Sequence, residues 1–508
     1  MPRDAYAAAE SPPELLASVA IGPASTLRNF AAYVDAVKPG TAIVLSDAFV
    51  RQGLAQAVGA SSLDGLDPGA WSYLLVGSVD GATPAVALLG KVSDAKKLAE
   101  SAAGAQVMSK GGWAVVGPKP VVERLGPYAL ATLAAQRAPS ALTATVYLPH
   151  VMARFNEQIQ GARTSILAGM TQPAAAQMAD FVNAYVDGLL SLAGDTEKIV
   201  VTLEATAALA SLDVALVPRA GSRLARFVAV QRPSNYALLD RLPDMPAAVV
   251  LGGHFELGPY RARMLELMAT FYSRAATKEL IAAMESLIKV MTGEVAVVAR
   301  FGGAGGMAFT QMFGVTDAGA ADRAFAAMLG LFKNGQTFDT FGITMTIKSN
   351  PGTVAHDGVA LRSYETGYDF AKVPEADRKA MEALYPGHSI AVHLGAFDRL
   401  ATVAFGPDSL AEAKRGIDAA RGKAPRFAAP QIVGQLLASS RGRKDSIAMV
   451  MDLGALIAGM AATTGGPPRA SGEVLPMVMS LGCADHNAHI RIGLPATTAR
   501  MAVNGGKP

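Results

Sequence analysis

Charged residues are scarce in this sequence. Asp, Glu, Lys and Arg make up 17% of the 508 residues, whereas soluble domains contain roughly 25%. Hydrophobic residues make up 51%, partly because alanine is so common. The remaining apolar excess is typical of proteins with an internal cavity, a buried domain interface or a surface in contact with lipid.

Cysteine and clustered positive charge are also nearly absent. Cys483 is the single cysteine, which excludes a disulfide within one chain. The net charge is +3, and the short basic cluster of Arg441, Arg443 and Lys444 has no aromatic residue between its members. Because nucleic-acid binding usually requires a basic stripe or face, the sequence predicts no nucleic-acid partner.

Long apolar runs are missing as well. A helix that crosses a bilayer needs about 20 apolar residues, and the nearest candidate, 447–462, is short and contains Asp452. No signal peptide is recognisable from Met1 onward, and residues 1–13 are typical of a tether. The sequence therefore predicts no transmembrane segment. It predicts a periplasmic or outer-envelope location if a leader was removed, and a cytoplasmic location otherwise.

Five strand-and-turn patterns occur twice in the same order. In the first, an apolar run ends in Gly-Pro, and proline is favoured in the first turn of a helix. In the second, an apolar run leads into Ser-Asp-Ala or Thr-Asp-Ala, where Ser93 and Thr316 are predicted N-caps. The five pairs are residues 19–23 and 255–259, 89–95 and 313–318, 114–118 and 402–407, 142–148 and 447–453, and 199–218 and 477–495.

This repetition predicts an internal duplication. The predicted repeat units are residues 14–232 and 240–508, and the second gains extra chain between Ala318 and Thr402. Apolar runs flank glycine-rich turns, which is typical of antiparallel hairpins. We expect an α+β fold with two antiparallel sheets, each with helices packed on one face.

Three motifs that suggest catalysis or phosphate binding fit structural roles better. The glycine-rich segment 302–306 precedes a strand, whereas a dinucleotide loop needs a helix there. Ser389 follows a helix and precedes a strand, the reverse of a nucleophile elbow. Ser93 and Lys96 match a serine/lysine motif, but the second copy has Gly319 at the lysine position. The sequence predicts no catalytic residue and no cofactor.

The best metal candidates are His486, His489 and Cys483, which all lie near one predicted hairpin tip. Histidine and cysteine at short spacing can ligate zinc or copper. The Asp and Asn of the same segment are ordinary turn formers, and the matching tip at 205–210 has no ligands. The three residues are therefore weak candidates, and no native metal is predicted.

Three short motifs resemble those of an uncharacterised family of bacterial envelope or secreted proteins, some of them lipid-anchored, built from a duplicated α+β repeat. The motifs are Leu242-Pro243 before a strand, Gly293-Glu294 within a strand pair, and Val315-Thr316-Asp317-Ala318 at a helix start. The resemblance covers most of the chain and implies the same duplicated fold and an envelope location. That family has no defined catalytic residues, so the resemblance assigns none here.

Together these features favour a non-enzymatic envelope protein that binds an apolar, lipid-like ligand or a protein partner. The 21 methionines suit an adaptable apolar pocket as well as ordinary core packing. The alternatives are a hydrolase or metalloenzyme with its site at the domain junction, and a structural assembly component. We expect an added function in features that occur in one copy, such as 485–489 and the extra chain before Thr402.

Overall fold

The computed structural model describes residues 11–79, 83–138, 140–168, 173–245, 247–262, 265, 277–300, 306–340, 343–348, 352–456, 458 and 474–503. Helices alternate with antiparallel strands along this part of the chain, which confirms the α+β prediction. Hydrogen bonding assigns all twenty described strands to one sheet, so the prediction of two separate sheets is not confirmed. None of the described helices is long and apolar enough to cross a membrane.

The elements follow the strand-turn-helix order that the sequence predicts. The strands are β1 Leu15–Ile21, β2 Ser72–Gly77, β3 Ala85–Lys91, β4 Gln106–Lys110, β5 Trp113–Gly117, β6 Leu142–Tyr147, β7 Thr196–Ala205, β8 Leu209–Pro218, β9 Val249–His254, β10 Met291–Arg300, β11 Ala308–Val315, β12 Thr337–Thr340, β13 Ile343–Ile347, β14 Gly352–His356, β15 Val359–Asp369, β16 Ser389–Phe397, β17 Leu400–Gly406, β18 Ile447–Asp452, β19 Pro476–Ala484 and β20 Asn487–Pro495. The repeated sequence patterns overlap strands, except for residues 255–259, which follow β9, so the strand predicted at 255–257 is wrong.

Thirteen helices have described bounds. They are α1 Ala24–Val37, α2 Asp47–Ala57, α3 Ala95–Ser101, α4 Lys119–Ala131, α5 Leu148–Ala168, α6 Pro173–Asp195, α7 Arg223–Val230, α8 Thr277–Val290, α9 Ala318–Gly330, α10 Glu375–Leu384, α11 Ser409–Ala420, α12 Gln431–Gly442 and α13 Ala496–Val503. Short 3-10 helices such as Ala42–Leu45 and Ala237–Arg241 connect several of these elements.

The chain forms two compact units that are discontinuous in sequence. Unit 1 comprises residues 1–161, 191–225 and 485–508, and unit 2 comprises residues 162–190 and 226–484. These units are defined by contacts between residues. The repeats 14–232 and 240–508 are defined by recurring sequence patterns, so their boundaries remain a prediction.

Unit 1 contains a run of nine antiparallel strands. Their order is β4-β5-β3-β2-β1-β6-β7-β8-β20. Half-buried and buried positions alternate along β2, as expected of a pleated strand whose successive side chains point to opposite faces. The pairing of β8 with β20 places Asp213 directly opposite Arg491.

Unit 2 repeats most of this pairing scheme. Its order is β19-β18-β9-β10-β11-β17-β16-β15, with β14 and β13 on successive parts of β15 and β12 on β13. Seven strands of each unit follow one common scheme, β7-β6-β1-β2-β3-β5-β4 in unit 1 and β19-β18-β9-β10-β11-β17-β16 in unit 2. Strands β12 to β15 have no counterpart in unit 1 and lie in the extra chain before Thr402.

Helices cover both faces of the strands in each unit, so the prediction of helices on one face is wrong. In unit 1, Leu88 packs in the cluster that contains α2 and α3, whereas Leu89 packs with α4. In unit 2, Met312 packs with α11 and α12, whereas Phe313 packs with α8 and α9. The four residues at 87–90 and those at 312–315 are all buried, a pattern found in strands covered on both sides.

Helices α3 and α9 are both capped one residue later than predicted. The side chain of Asp94 accepts hydrogen bonds from two backbone N–H groups of α3, and Asp317 accepts one from α9. Ser93 and Thr316, the predicted caps, instead donate to backbone carbonyls of other segments. The aspartates satisfy the unpaired N–H groups of the first helical turn and add favourable charge there.

Candidate functional site

The predicted metal candidates occupy different structural positions. Asp485 and His486 have φ angles of 50° and 64°, so they form the turn itself, and His486 is exposed. Cys483 is a half-buried thiol, and His489 contacts Asp213 on β8. Across the described residues, no group of three or more His, Cys, Asp or Glu side chains is arranged to hold a metal ion.

Asp213 lies between His489 and Arg491 across the β8–β20 pair. Nδ1 of His489 is 3.0 Å from Oδ1 of Asp213, and Nε of Arg491 donates to Oδ2 at 3.0 Å. Burial raises the pKa of the Asp213 carboxyl, but hydrogen bonds and charge interactions with His489 and Arg491 outweigh burial and lower it. This arrangement is a cross-strand ion pair that stabilises the attachment of β20.

The serine at the nucleophile-like motif begins a strand. Gly387 and His388 have φ angles of 74° and 54°, and Ser389 is the first residue of β16. A nucleophile elbow would instead have the strand before the serine, so the predicted order of elements around Ser389 is confirmed. The glycine-rich segment 302–306 lies outside the described residues except for Gly306.

A buried serine–histidine pair connects two elements of unit 2. Nδ1 of His393 on β16 lies 2.9 Å from Oγ of Ser409 at the start of α11. Burial and the nearby charge of Lys414 lower the pKa of His393. Ser409 is only 1% exposed, so a substrate has no access to its hydroxyl. The pair therefore serves to position α11 on the strands.

An apolar groove lies beside α1 in unit 1. It is bounded by Leu27 and Ala31 of α1, by Leu45 at the end of a 3-10 helix and by Asp47 at the start of α2, and its volume is about 460 Å³. A smaller cavity of about 50 Å³ also touches Leu27 and Asp47 and extends toward β3. The smaller cavity also borders Leu54, Leu63 and Leu66, which belong to the apolar core that contains α2 and α3.

The packing of α1 leaves this groove open. Tyr33 of α1 packs against Ala496 and Ala499 of α13, and its hydroxyl donates to the carbonyl of Leu494 at 3.0 Å. Leu27 and Ala31 are one helical turn apart and share a side of the helix. That side faces the groove, because both residues line it.

The segment next to the groove exposes large apolar side chains. Ile43 is 66% exposed and Phe49 is 56% exposed. Ligand sites of about 300–1,000 Å³ are lined mainly by apolar side chains with a few polar groups. The groove fits this description, since Arg28 and Asp47 add charge to an otherwise small or apolar lining.

Sequence analysis did not single out the groove residues. The sequence did contain a signal for exposed apolar residues. Ile43, Leu45 and Phe49 are large and apolar, but their apolar run is too short for a core strand. Which of them remain exposed depends on how α1 and α2 pack, and that information is absent from a local pattern.

Comparisons with known proteins found few similarities. No protein-family model and no curated protein matches the sequence. Three crystal forms of TP0453 are similar to part of the chain: form IV has 11% identity and a TM-score of 0.25, form III 9% and 0.24, and form I 11% and 0.22. The matches cover 55%, 55% and 54% of this chain and 99%, 99% and 98% of the TP0453 chains. At these TM-scores the similarity supports no conclusion about the fold or the function of this chain.

Proposed function

We propose that this protein is a non-enzymatic binding protein of the bacterial envelope that takes an apolar, lipid-like ligand in the groove beside α1. The observation that carries the proposal is an open cavity of about 460 Å³ lined by Leu27, Ala31 and Leu45. An apolar ligand removes this lining from water, and each buried CH₂ group contributes about 0.8 kcal/mol.

A neutral hydrophobic dye tests this proposal. N-phenyl-1-naphthylamine is expected to bind the full chain with increased fluorescence, and native mass spectrometry is expected to detect a lipid that copurifies. Ala31→Phe fills the groove and should abolish dye uptake. Ala32→Phe is the matched control, because Ala32 lies on the exposed side of the same helix. No uptake by the wild type, or equal losses in both variants, would refute the proposal.

A protein partner is the other occupant of the groove in this proposal. Large exposed apolar side chains such as Phe49 often anchor protein partners. If the groove binds a protein, size-exclusion chromatography should show a stable complex that Ala31→Phe disrupts, without uptake of the dye. Dye uptake without a complex would assign the groove to a small ligand.

Binding rather than catalysis is part of the same proposal. A panel of ester and peptide substrates, assayed with and without a chelator, should show no turnover. Activity that Ser389→Ala or His486→Ala abolishes would instead favour the hydrolase or metalloenzyme alternative. Stable oligomers without any ligand would favour a structural assembly component.

The duplication and the compartment are also proposals. The common pairing scheme of seven strands in each unit supports a duplicated ancestor with repeats 14–232 and 240–508. An experimental structure in which β1 to β7 fail to superpose on their counterparts would contradict it. The envelope location is supported by the family resemblance, and fractionation of cells that make the native protein tests it, because recovery in the cytosol alone would exclude it.

A further inference from the structure

A second cavity, in unit 2, is lined by charged residues. Its volume is about 690 Å³. Five cations and two carboxylates line it, which leaves three positive charges in excess: Arg241, Arg399, Arg421, Lys423 and Arg426, with Asp357 and Asp398. The cavity is therefore distinct in chemistry from the apolar groove of unit 1.

Part of this charge forms a rigid support. Nε of Arg421 donates to Asp398 at 2.7 Å, and its Nη1 donates to Asp357 at 2.7 Å. Nζ of Lys423 donates to Asp357 at 2.5 Å, and the Arg421 guanidinium lies 5.4 Å from the centre of the Phe397 ring. These contacts connect the turns after β14 and β16 to the end of α11.

Both carboxylates of this support are ionised at neutral pH. Hydrogen bonds from Lys423 and Arg421 lower the pKa of Asp357 to about 2. The hydrogen bond from Arg421 also lowers the pKa of Asp398. The support therefore persists over the whole physiological range.

The remaining three cations have donors available to a ligand. Arg241 donates one Nη1 hydrogen bond to the carbonyl of Ala420, and Arg426 donates Nε to the carbonyl of Ala419. These bonds offset the negative end of the α11 dipole, which amounts to about half a charge. The other guanidinium N–H groups of both arginines donate to none of the residues that the structure describes. Within the described part of the chain, the Arg399 side chain makes no hydrogen bond or ion pair, and it is exposed.

Arg399 also occupies a conformation that normally favours glycine. Asp398 and Arg399 have φ angles of 45° and 64°, whereas the equivalent β4–β5 turn of unit 1 consists of Gly111 and Gly112, at 61° and 79°. Two-residue hairpin turns with two positive φ angles prefer Asn-Gly or Gly-Gly. A non-glycine residue held there is strained, and such strain clusters at functional sites.

We infer that this cavity of unit 2 binds a phosphate monoester, with Arg399, Arg241 and Arg426 as the direct contacts. A phosphate monoester carries close to two negative charges near pH 7, so the excess of three positive charges in the cavity attracts it. Guanidinium groups bind phosphate oxygens through paired N–H donors. The phosphate group could belong to a soluble metabolite or to a lipid headgroup, and both present the same chemistry to the three arginines.

Two binding assays on the full chain distinguish these sources. Glycerol 3-phosphate, titrated calorimetrically at low salt, represents a soluble phosphate monoester. Cosedimentation with phosphatidylcholine vesicles that contain phosphatidic acid represents the lipid headgroup, and pure phosphatidylcholine vesicles serve as the blank. Binding in either assay, weakened by added salt as expected of ionic contacts, supports the inference and identifies the source.

Arg399→Gly is the decisive variant, because unit 1 shows that glycine suits this turn. We expect a loss of affinity of about tenfold or more, since a charge-assisted contact is removed, with thermal stability unchanged or higher. Arg323→Ala removes a charge from the exposed side of α9, outside the cavity, and should leave affinity unchanged. No binding of either probe, or equal affinities for wild type and Arg399→Gly, would overturn the inference.

Discussion

The β4–β5 hairpin of unit 1 and the β16–β17 hairpin of unit 2 hold the same place in the pairing scheme but differ in chemistry. The turn of the first hairpin consists of Gly111 and Gly112, and the turn of the second consists of Asp398 and Arg399. Unit 2 also carries the additional strands β12 to β15, and the turn between β14 and β15 supplies Asp357 to the charged cavity. The difference indicates that the shared strand order is scaffold, while the turns and the extra chain differentiate the units.

The largest expected effect comes from truncating one fully buried core side chain in each unit. Leu98 of α3 and Phe325 of α9 are each 1% exposed. Leu98→Ala should lower the free energy of unfolding by about 2–5 kcal/mol and Phe325→Ala by about 3–5 kcal/mol, because each leaves a cavity. Urea unfolding followed by circular dichroism measures both.

Tryptophan fluorescence reports on the unfolding of unit 1, because Trp71 and Trp113 both lie in unit 1. Leu98→Ala should shift the fluorescence transition to lower urea concentration. Phe325→Ala should shift the circular dichroism transition more than the fluorescence transition. Identical shifts in both probes would mean that the two units unfold together. The effect of each substitution would then not be confined to its own unit.

Asp213→Ala is expected to have the next largest effect, confined to unit 1. The substitution removes a hydrogen-bonding partner of His489 and of the Arg491 guanidinium, and losing a partner of a charged group costs about 1–3 kcal/mol. Tryptophan fluorescence during urea unfolding measures the loss. Asp213→Glu keeps the charge and should recover part of it.

The pH dependence of this contribution has a definite sign. The folded pKa of Asp213 is lowered, so the stabilisation is present above the unfolded value, about 3.9. It is lost as the pH falls below that value through the folded pKa. The difference between wild type and Asp213→Ala should therefore shrink in acid, and a difference that grows in acid would contradict the ion pair.

Exchanging the hairpin residues tests the two turns directly. Gly112→Arg places a side chain at a φ of 79° in unit 1 and should cost about 1–2 kcal/mol. Arg399→Gly should raise stability by up to about 1 kcal/mol, because relief of strain exceeds the added entropy of the unfolded chain. Thermal melts of both variants measure this, and destabilisation by Arg399→Gly would show that the arginine supports the fold.

The smallest expected effect comes from the buried pair in unit 2. Ser409→Ala removes the hydrogen-bonding partner of His393 and should cost about 0.5–1.5 kcal/mol, seen by circular dichroism rather than tryptophan fluorescence. The lowered pKa of His393 means that the unfolded state binds a proton more readily. Stability should therefore fall as the pH drops below about 6.5. His393→Gln should remove this dependence.

Local sequence patterns predicted the elements well. Gly-Pro and Asp-Ala junctions marked where α1, α3, α4 and α9 begin, because proline and capping residues act within one or two residues of a helix start. The two-sided burial of β3 and β11 was missed, although the runs at 87–90 and 312–315 carry its signal. Their glycines obscured it, since glycine contributes no side chain to an apolar pattern.

The sites were less predictable. His486, His489 and Cys483 are close in sequence, yet the turn directs His489 to Asp213, which is 276 residues away. The charged cavity is lined by residues from four separate segments, among them Arg241, Asp357, Arg399 and Arg421. No spacing rule connects such positions, because their proximity is created by strand pairing.

The sequence by itself determined the α+β class, the antiparallel hairpins and the order of strand-turn-helix junctions, because these depend on contacts between near neighbours. The tertiary structure decided which faces are covered, that β20 belongs to unit 1, and where charge remains without compensation. Those outcomes depend on the packing and pairing of residues that are hundreds of positions apart. Side chains such as Arg399 line a cavity only because distant segments enclose a space beside them.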